Sequence, residues 1–104
     1  MAARVLALYN HPADTAAFDA YYVGTHIPKA KQIAGLRSYA VNAGPISGAG
    51  GAPSPYYLIA ELGFDSVEAI GSAMQSPEGV ATVADLANFA QAGVTVLVYE
   101  TKDV

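Results

Sequence analysis

The side chains with the clearest potential for chemistry are a histidine and two tyrosines that share one stretch of the chain. In residues 18–26 the relevant side chains recur at steps of three and four, which predicts one face of an amphipathic helix. These side chains are Phe18, Tyr21, Tyr22, Thr25 and His26. Imidazole titrates near neutral pH and can both accept and donate a proton. We therefore predict that His26 is the acid or base of any reaction, with Tyr22 beside it orienting a substrate oxygen.

Four further aromatic side chains are candidates for contacts with a bound molecule. Tyr39 and Tyr57 lie in predicted strands and would offer hydroxyl groups if their registers face a cleft, while Phe18 and Phe89 would offer apolar surface. All four have an alternative explanation as packing residues, and His26 could equally tie a helix end to a strand carbonyl. The sequence alone leaves both explanations open.

The remaining polar candidates are more easily explained by structural roles. His11 precedes a proline and is interpreted as an exposed turn residue, and Asp85 and Asn88 as capping or packing residues near the end of a helix. No carboxylate lies four residues from His26 on its helix, so the sequence shows no acidic partner and predicts no metal site. A haem bound through His26 is the least favoured alternative.

Composition excludes several classes of protein. The chain has no cysteine, which rules out disulfides, thiolate zinc sites and cysteine nucleophiles. Its glycine-rich segment lacks the spacing of a nucleotide-binding loop, so we expect no cofactor. A net charge of -4 argues against nucleic acid as a partner. No apolar run approaches the roughly 18 residues of a membrane span, so we predict a soluble, cytoplasmic protein without a membrane partner.

The order of the elements predicts an α+β fold. Four segments are interpreted as strands, at residues 3–10, 36–43, 56–64 and 94–101. One helix begins after Asp14 and ends near Pro28, and a second begins at Asp65 and restarts at Pro77. Residues 44–55 contain four glycines and three prolines and are interpreted as a flexible loop. The order β-α-β-β-α-β is that of a single ferredoxin-like domain spanning residues 1–104, with a four-stranded antiparallel sheet and both helices on one face.

The apolar content indicates a second copy of the chain as partner. Hydrophobic residues make up 53% of the chain and charged residues only 13%, against roughly 25% charged in an average domain. The first and last strands are apolar in both alternating registers, whereas a sheet with one face in water should alternate. Helices cover only one face, so we predict that a second sheet covers the other in a homodimer.

Several motifs together are similar to those of a known family. They are Phe18–Tyr22, His26–Pro28, Gly35–Tyr39, Ser76–Gly79 and the segment 85–95. In these motifs the chain resembles the EthD family, part of the dimeric α+β barrel superfamily. The resemblance implies a homodimer whose two sheets close a barrel, with a cleft between the sheet and the helices of each protomer. Similar proteins of the superfamily include polyketide cyclases, lactone isomerases, cofactor-free monooxygenases and haem-handling enzymes.

Two functions remain open at this point. The first is a cofactor-independent cyclase, isomerase or lyase that acts on a small hydrophobic oxygenated compound, such as a polyketide or a lactone, with His26 moving a proton. The second is a protein that binds a hydrophobic metabolite, or assists a catabolic or oxygenase pathway, without chemistry of its own. The position of His26 and Tyr22 on one stripe supports the first, which we prefer, and the lack of an evident acidic partner for His26 is the reason to keep the second.

Overall fold

Four strands and a helical layer follow one another in the predicted order. The computed structural model describes residues 2–104. The strands are β1 (Ala3–Asn10), β2 (Ser38–Val41), β3 (Tyr56–Phe64) and β4 (Val94–Glu100). The helices are α1 (Thr15–Tyr21), a π-helical turn (Tyr22–His26), α2 (Ile27–Ala30), α3 (Val67–Gln75) and α4 (Pro77–Phe89).

The strands form one antiparallel sheet in the order β2-β3-β1-β4, which confirms the predicted ferredoxin-like fold. Val5 in the central strand β1 lies opposite Leu62 on one side and Val98 on the other, so the register places their side chains on one face. The helical layer covers this face. The core side chains that the sheet contributes to it are Ala3, Val5, Ala7, Tyr9, Ala60, Leu62 and Phe64. Within residues 2–104, no helix has the length and apolar character needed to cross a membrane.

The other face of the sheet is largely apolar, although Arg4 and Glu61 also lie on it, and no helix of residues 2–104 covers it. Leu6 and Leu8 alternate with the buried residues of β1 and are only half-buried. Leu97, directly opposite Leu6, is 48% exposed, and Tyr99 beside it is 42% exposed. A single chain therefore leaves a large apolar sheet surface in water. We call the face that contains Leu6, Leu8, Ile59, Leu97 and Tyr99 the open face.

The prediction that Pro28 ends the first helix is wrong. The helix continues as α2 to Ala30, and Pro28 lies in its first turn. In an α-helix the proline ring would collide with the carbonyl of Gly24, four residues earlier. Here the N–H of Ile27 instead bonds to the carbonyl of Tyr22, five residues earlier, and this wider π-turn accommodates the ring. Thr25, expected on the apolar face, is exposed.

Helix starts follow the predicted signals with one correction. The Asp14 carboxylate accepts a hydrogen bond from the Ala17 N–H at 3.0 Å, as predicted. The second helix, however, is capped by Ser66, which accepts from the Ala69 N–H at 3.0 Å. Asp65, the predicted cap, instead forms an exposed ion pair with Arg37 at 2.9 Å. The predicted restart at Pro77 is confirmed.

Strand β2 is shorter than the predicted 36–43, and a side chain explains where it ends. The N–H of Ile59 donates to the side-chain oxygen of Asn42 at 2.9 Å instead of to a backbone carbonyl, so backbone pairing stops at Val41. Residues 44–55 then form a loop, as predicted, with a single isolated bridge between Ser47 and Pro53.

Replacing each of two helical glycines with alanine should change the stability of the fold in opposite directions. Gly71 in α3 has no atom within 4 Å of the position that a Cβ would occupy, so Gly71→Ala should stabilise the fold by about 0.5–1 kcal/mol. A Cβ at Gly79 would collide with the carbonyl oxygen of Ala73, so Gly79→Ala should destabilise it by about 1–3 kcal/mol. Urea denaturation measures both, and equal shifts would contradict the close approach of α3 and α4.

Candidate active site

The centre of the site is a pair formed by His26 and Asp85. Nδ1 of His26 lies 2.9 Å from Oδ2 of Asp85, and each residue is only 4% exposed. His26 ends the π-turn, while Asp85 lies on α4, 59 positions later in the chain. The expectation that His26 lacks an acidic partner is therefore wrong. The carboxylate comes from a neighbouring helix, which a search for i+4 spacing within one helix cannot find.

Hydrogen bonds keep Asp85 ionised. Its Oδ1 accepts from the Tyr21 hydroxyl at 2.6 Å and from the Asn88 amide at 3.0 Å, while its Oδ2 faces His26. Burial alone would raise the pKa of this carboxyl group, but the hydrogen bonds from Tyr21, Asn88 and His26 outweigh burial and hold the pKa at about 2. Asp85 is therefore a carboxylate throughout the neutral range.

His26 is held in its neutral form with one nitrogen free. Burial lowers the pKa of the imidazole, and the nearby Lys29 adds to this effect, although Asp85 opposes it. Because the carboxylate can only accept, Nδ1 carries the proton and donates it, and Nε2 keeps its lone pair. Within residues 2–104 Nε2 forms no hydrogen bond, and every fully buried side-chain nitrogen or oxygen there has a partner. Nε2 therefore keeps some accessible surface, and the His26 side chain is part of a cavity wall.

Aromatic rings fix the plane of the imidazole. The ring of Tyr22 stacks on one side, with centroids 5.4 Å apart and planes 30° apart. The ring of Phe89 lies 4.6 Å away at 52°. The ring of Phe18 stacks on that of Tyr22, with nearly parallel planes and centroids 5.8 Å apart. The imidazole is thus held both by its hydrogen bond and by packing, which gives Nε2 a defined direction.

A small cavity lies between the sheet and the helices beside His26. Its volume is about 70 Å³. The polar members of its wall are His26, Tyr9, Tyr39 and Thr82. Most of the remaining wall is aliphatic, with Val5, Ala7, Ala60 and Leu62 from the sheet and Met74 and Leu86 from the helices. Ala30 and Ile33 are also on the wall. Val83 and Val96 complete it and are 52% and 48% exposed, so the cavity reaches the surface between α4 and β4.

The structure brings some of the predicted site residues together and separates others. The hydroxyl groups of Tyr22 and Tyr39 form a hydrogen bond of 2.6 Å, and Tyr39 lies on the cavity wall. Phe89 packs on the imidazole. Four of the predicted site residues are not part of the cavity wall: Tyr22, Phe89, Phe18 and Tyr57. The Tyr57 hydroxyl donates to Asp19 at 2.9 Å, beside a separate surface groove that also contains His11.

Tyr9 was missed by the sequence analysis. It is 2% exposed, lies on the cavity wall and has no hydrogen-bond partner within residues 2–104. Its position in the same alternating register as Val5 and Ala7 could have indicated that it faces the helices. No group of three or more histidine, aspartate or glutamate side chains in this part of the chain is close enough to hold a metal ion.

The pair should make stability depend on pH in two steps. The lowered pKa of His26 means that its contribution is complete above 6.5, its ordinary pKa, and is lost as the pH falls below that value. The lowered pKa of Asp85 means that its contribution is lost as the pH falls from 3.8 towards about 2. This second loss should amount to about 2 kcal/mol.

Urea denaturation between pH 8 and pH 2.5 measures both steps. The variant His26→Asn should lack the first loss and Asp85→Asn the second. Stability curves of both variants that run parallel to the wild-type curve would contradict the assigned protonation states.

Comparisons with known proteins identify the family. Residues 10–93 match the family model described as the EthD domain. A Rhodococcus erythropolis protein, described as an uncharacterized 11.0 kDa protein in the thcB-thcC intergenic region, is 44% identical over 97% of this chain and 96% of its own length. The crystal structure of an ethyl tert-butyl ether d (EthD) family protein from Bacillus halodurans is similar with a TM-score of 0.88 and 35% identity, over 98% of this chain and all of that one. An EthD-like protein from Ralstonia eutropha is similar with a TM-score of 0.73 and 25% identity, over 95% of this chain and 90% of that one. From the fold, the motifs around His26 and these matches, we conclude that the chain belongs to the EthD family.

Proposed function

We propose that this protein is a cofactor-independent enzyme of the cyclase, isomerase or lyase type that acts on a small hydrophobic oxygenated compound, with His26 as acid and base. The observation that carries the proposal is the 2.9 Å contact between His26 and Asp85, which leaves the unprotonated Nε2 beside a cavity. A neutral imidazole oriented by a carboxylate is a suitable general base near neutral pH.

The proposed step is proton transfer at a carbon next to a carbonyl group. Nε2 takes the proton, and the buried Asp85 carboxylate stabilises the imidazolium that forms. Negative charge then develops on the substrate oxygen, where hydroxyl donors are most effective. The proposed donor among the predicted residues is Tyr39, which lies on the cavity wall, while Tyr22 is off the wall and orients Tyr39 through their 2.6 Å hydrogen bond. Burial raises the pKa of both hydroxyl groups, so they remain protonated and able to donate.

Two enzymes have the same fold. SnoaB from Streptomyces nogalater, a cofactor-independent oxygenase, is similar with a TM-score of 0.63 at 11% identity, over 99% of this chain and 94% of that one. A hydroxynitrile lyase from Passiflora edulis is similar with a TM-score of 0.73 at 12% identity, over 99% of this chain and 94% of that one. At these identities the likeness concerns the fold alone, so the reaction assigned here rests on the site.

The proposal is tested by following proton exchange at carbon. A panel of ketones, aldehydes and lactones in deuterated buffer is monitored by NMR for loss of the signal of the hydrogen next to the carbonyl. Wild-type protein should accelerate exchange in at least one compound, and the rate should rise with the unprotonated fraction of His26. Acceleration that is unchanged in His26→Asn would contradict the proposal.

Binding without chemistry is the second candidate function. The burial of the His26–Asp85 pair favours this function, since His26 is only 4% exposed and reaches the surface through a small cavity. The pH profile separates the two functions, because a binding protein has no turnover that could follow the titration of His26.

We further propose that the protein is a cytoplasmic homodimer in which the open face of one protomer packs on that of another. A ferredoxin-like protein from Thermobifida fusca is described as dimeric; it is similar with a TM-score of 0.69 at 18% identity, over 97% of this chain and 92% of that one. The apolar side chains of the open face supply the physical reason, since their burial is favourable at about 25 cal/mol per Å².

A charge on the open face should separate the dimer. Leu97→Lys places an ammonium group opposite Leu6, and its burial between two apolar sheets would be costly. Sedimentation velocity should give two chains for the wild type and one chain, of 10.7 kDa, for the variant. Val23→Lys is the matched control, because Val23 is 64% exposed on the helical layer and should leave the mass unchanged. A variant Leu97→Lys that keeps the wild-type mass would contradict this interface.

A further inference from the structure

The size of the cavity beside His26 restricts what can bind there. A cavity of about 150 Å³ lined by apolar side chains holds benzene, and one water occupies about 30 Å³ of liquid. At about 70 Å³ the cavity is about half the volume that benzene needs. On this scale of about 25 Å³ per non-hydrogen atom, the cavity encloses about three such atoms. Because it opens to the surface beside Val83 and Val96, this limit applies to the enclosed end of a molecule. Fused aromatic rings are much larger than this cavity.

The polar groups of the cavity are complementary to a carbonyl oxygen and a neighbouring C–H bond. Tyr9 is 2% exposed and lies on the cavity wall. Its hydroxyl group has no hydrogen-bond partner within residues 2–104, so its proton is available to a molecule in the cavity. Only one of the two hydroxyl protons of Tyr22 and Tyr39 is used in their 2.6 Å bond. When Tyr22 donates, the proton of Tyr39 is available as a second donor. The acceptor on the protein side is Nε2 of His26.

We propose that the substrate of this site is a short-chain aldehyde or ketone whose carbonyl end, of about three non-hydrogen atoms, is enclosed in the cavity, held by its oxygen at Tyr9 and Tyr39 and deprotonated by His26. This inference rests on the function proposed above and narrows it from polyketide- or lactone-like compounds to small aliphatic carbonyls. The aliphatic walls accept the methyl or methylene groups, and the buried cavity offers no cation to bind a carboxylate or a phosphate.

The step balances without a further reactant. A C–H bond next to the carbonyl breaks, its proton moves to Nε2, and the electron pair forms the enolate, whose oxygen carries the charge. Two phenolic O–H groups donate to that oxygen. Return of a proton from the imidazolium regenerates the carbonyl compound. In deuterated buffer, a cycle is visible as isotope exchange when the imidazolium exchanges its Nε2 hydrogen with solvent before a hydrogen returns to carbon.

The test uses the full-length protein and a series of ketones of increasing size: acetone, butanone, cyclohexanone and 1-tetralone. Binding is measured by ligand-observed NMR and turnover by deuterium exchange. Acetone and butanone should bind and exchange, with their remaining one or two non-hydrogen atoms at the cavity mouth. In 1-tetralone a fused ring flanks the carbonyl group and cannot enter, so this ketone should do neither. Exchange that is fastest for 1-tetralone would overturn the size limit while leaving the proposed proton transfer intact. Binding of acetone without exchange would contradict the proposed function but support the assigned ligand class.

Three variants separate the roles within the cavity. Tyr9→Phe removes one donor and should weaken acetone binding about 5- to 10-fold, the usual effect of one hydrogen bond. Tyr56→Phe is the matched control, because Tyr56 lines the separate surface groove beside His11 and not the cavity. This variant should bind acetone as the wild type does. Met74→Ala enlarges the cavity and should admit cyclohexanone. If Tyr9→Phe binds acetone normally and Met74→Ala still excludes cyclohexanone, the assigned ligand class is wrong.

Discussion

Replacing His26 with asparagine should reduce the rate of proton exchange by about 10²- to 10⁴-fold, the usual contribution of a general base. Asparagine is chosen because its amide N–H lies near the position of Nδ1 and can still donate to Asp85. The buried carboxylate then keeps a partner, whereas His26→Ala would leave it partly unpaired at a cost of about 1–3 kcal/mol. The variant therefore removes the lone pair of Nε2 with little other change.

Two measurements show whether the loss is chemical. Acetone binding by ligand-observed NMR should be close to that of the wild type, since the proposed oxygen donors are Tyr9 and Tyr39. The circular dichroism spectrum and urea midpoint at pH 8 establish that the variant is folded. A folded variant that binds acetone and exchanges its hydrogens at the wild-type rate would remove His26 from the mechanism.

Replacing Asp85 with asparagine should have an effect of similar size, about 10²- to 10⁴-fold, for a different reason. Oδ1 of Asp85 accepts from both Tyr21 and Asn88, so the amide oxygen of the variant is expected to take that position. Its NH₂ group then faces His26 and donates to Nδ1. The imidazole proton moves to Nε2, and the base is lost although the residues keep their places.

A milder variant distinguishes this tautomer effect from simple disturbance of the site. Tyr21→Phe removes one hydrogen bond to Asp85 but leaves the carboxylate and the Asn88 contact. The pKa of Asp85 should rise from about 2 towards its ordinary value, with only a modest loss of exchange activity. If Tyr21→Phe and Asp85→Asn lose equal activity, the orientation of the imidazole tautomer is not the reason.

Most of the fold could be predicted because its signals are local. Residues 3–10 and 56–64 match β1 and β3, since apolar strand residues end at Pro12 and begin after Pro55. Ser76 and Pro77 mark the break between α3 and α4 through capping chemistry. The errors have two sources: a local backbone irregularity that periodicity does not reveal, and contacts with another part of the chain. The π-turn absorbs Pro28 within the helix, and the Asn42 side chain ends β2 by bonding to β3.

The candidate site could be predicted only in part, since its two halves come from distant segments. Periodicity indicated that Tyr22 and His26 share a buried face, and both are buried. Nothing in the spacing shows that α4 brings Asp85 to Nδ1, because that contact depends on how the helices pack. The same holds for Tyr57, whose hydroxyl bonds to Asp19 on α1 rather than facing the cavity. The alternation of β1, by contrast, could have indicated that Tyr9 faces the helices, as Val5 and Ala7 do.

The measurement that tests the central claim most directly is the nitrogen NMR spectrum of His26 in protein with ¹⁵N-labelled histidine, assigned by comparison with His26→Asn. At pH 8 we expect Nδ1 to carry the proton and Nε2 to show the shift of an unprotonated nitrogen. Titration should give His26 a pKa below the ordinary 6.5. A proton on Nε2 at pH 8, or a pKa above that value, would contradict the assignment of His26 as a neutral base positioned by Asp85.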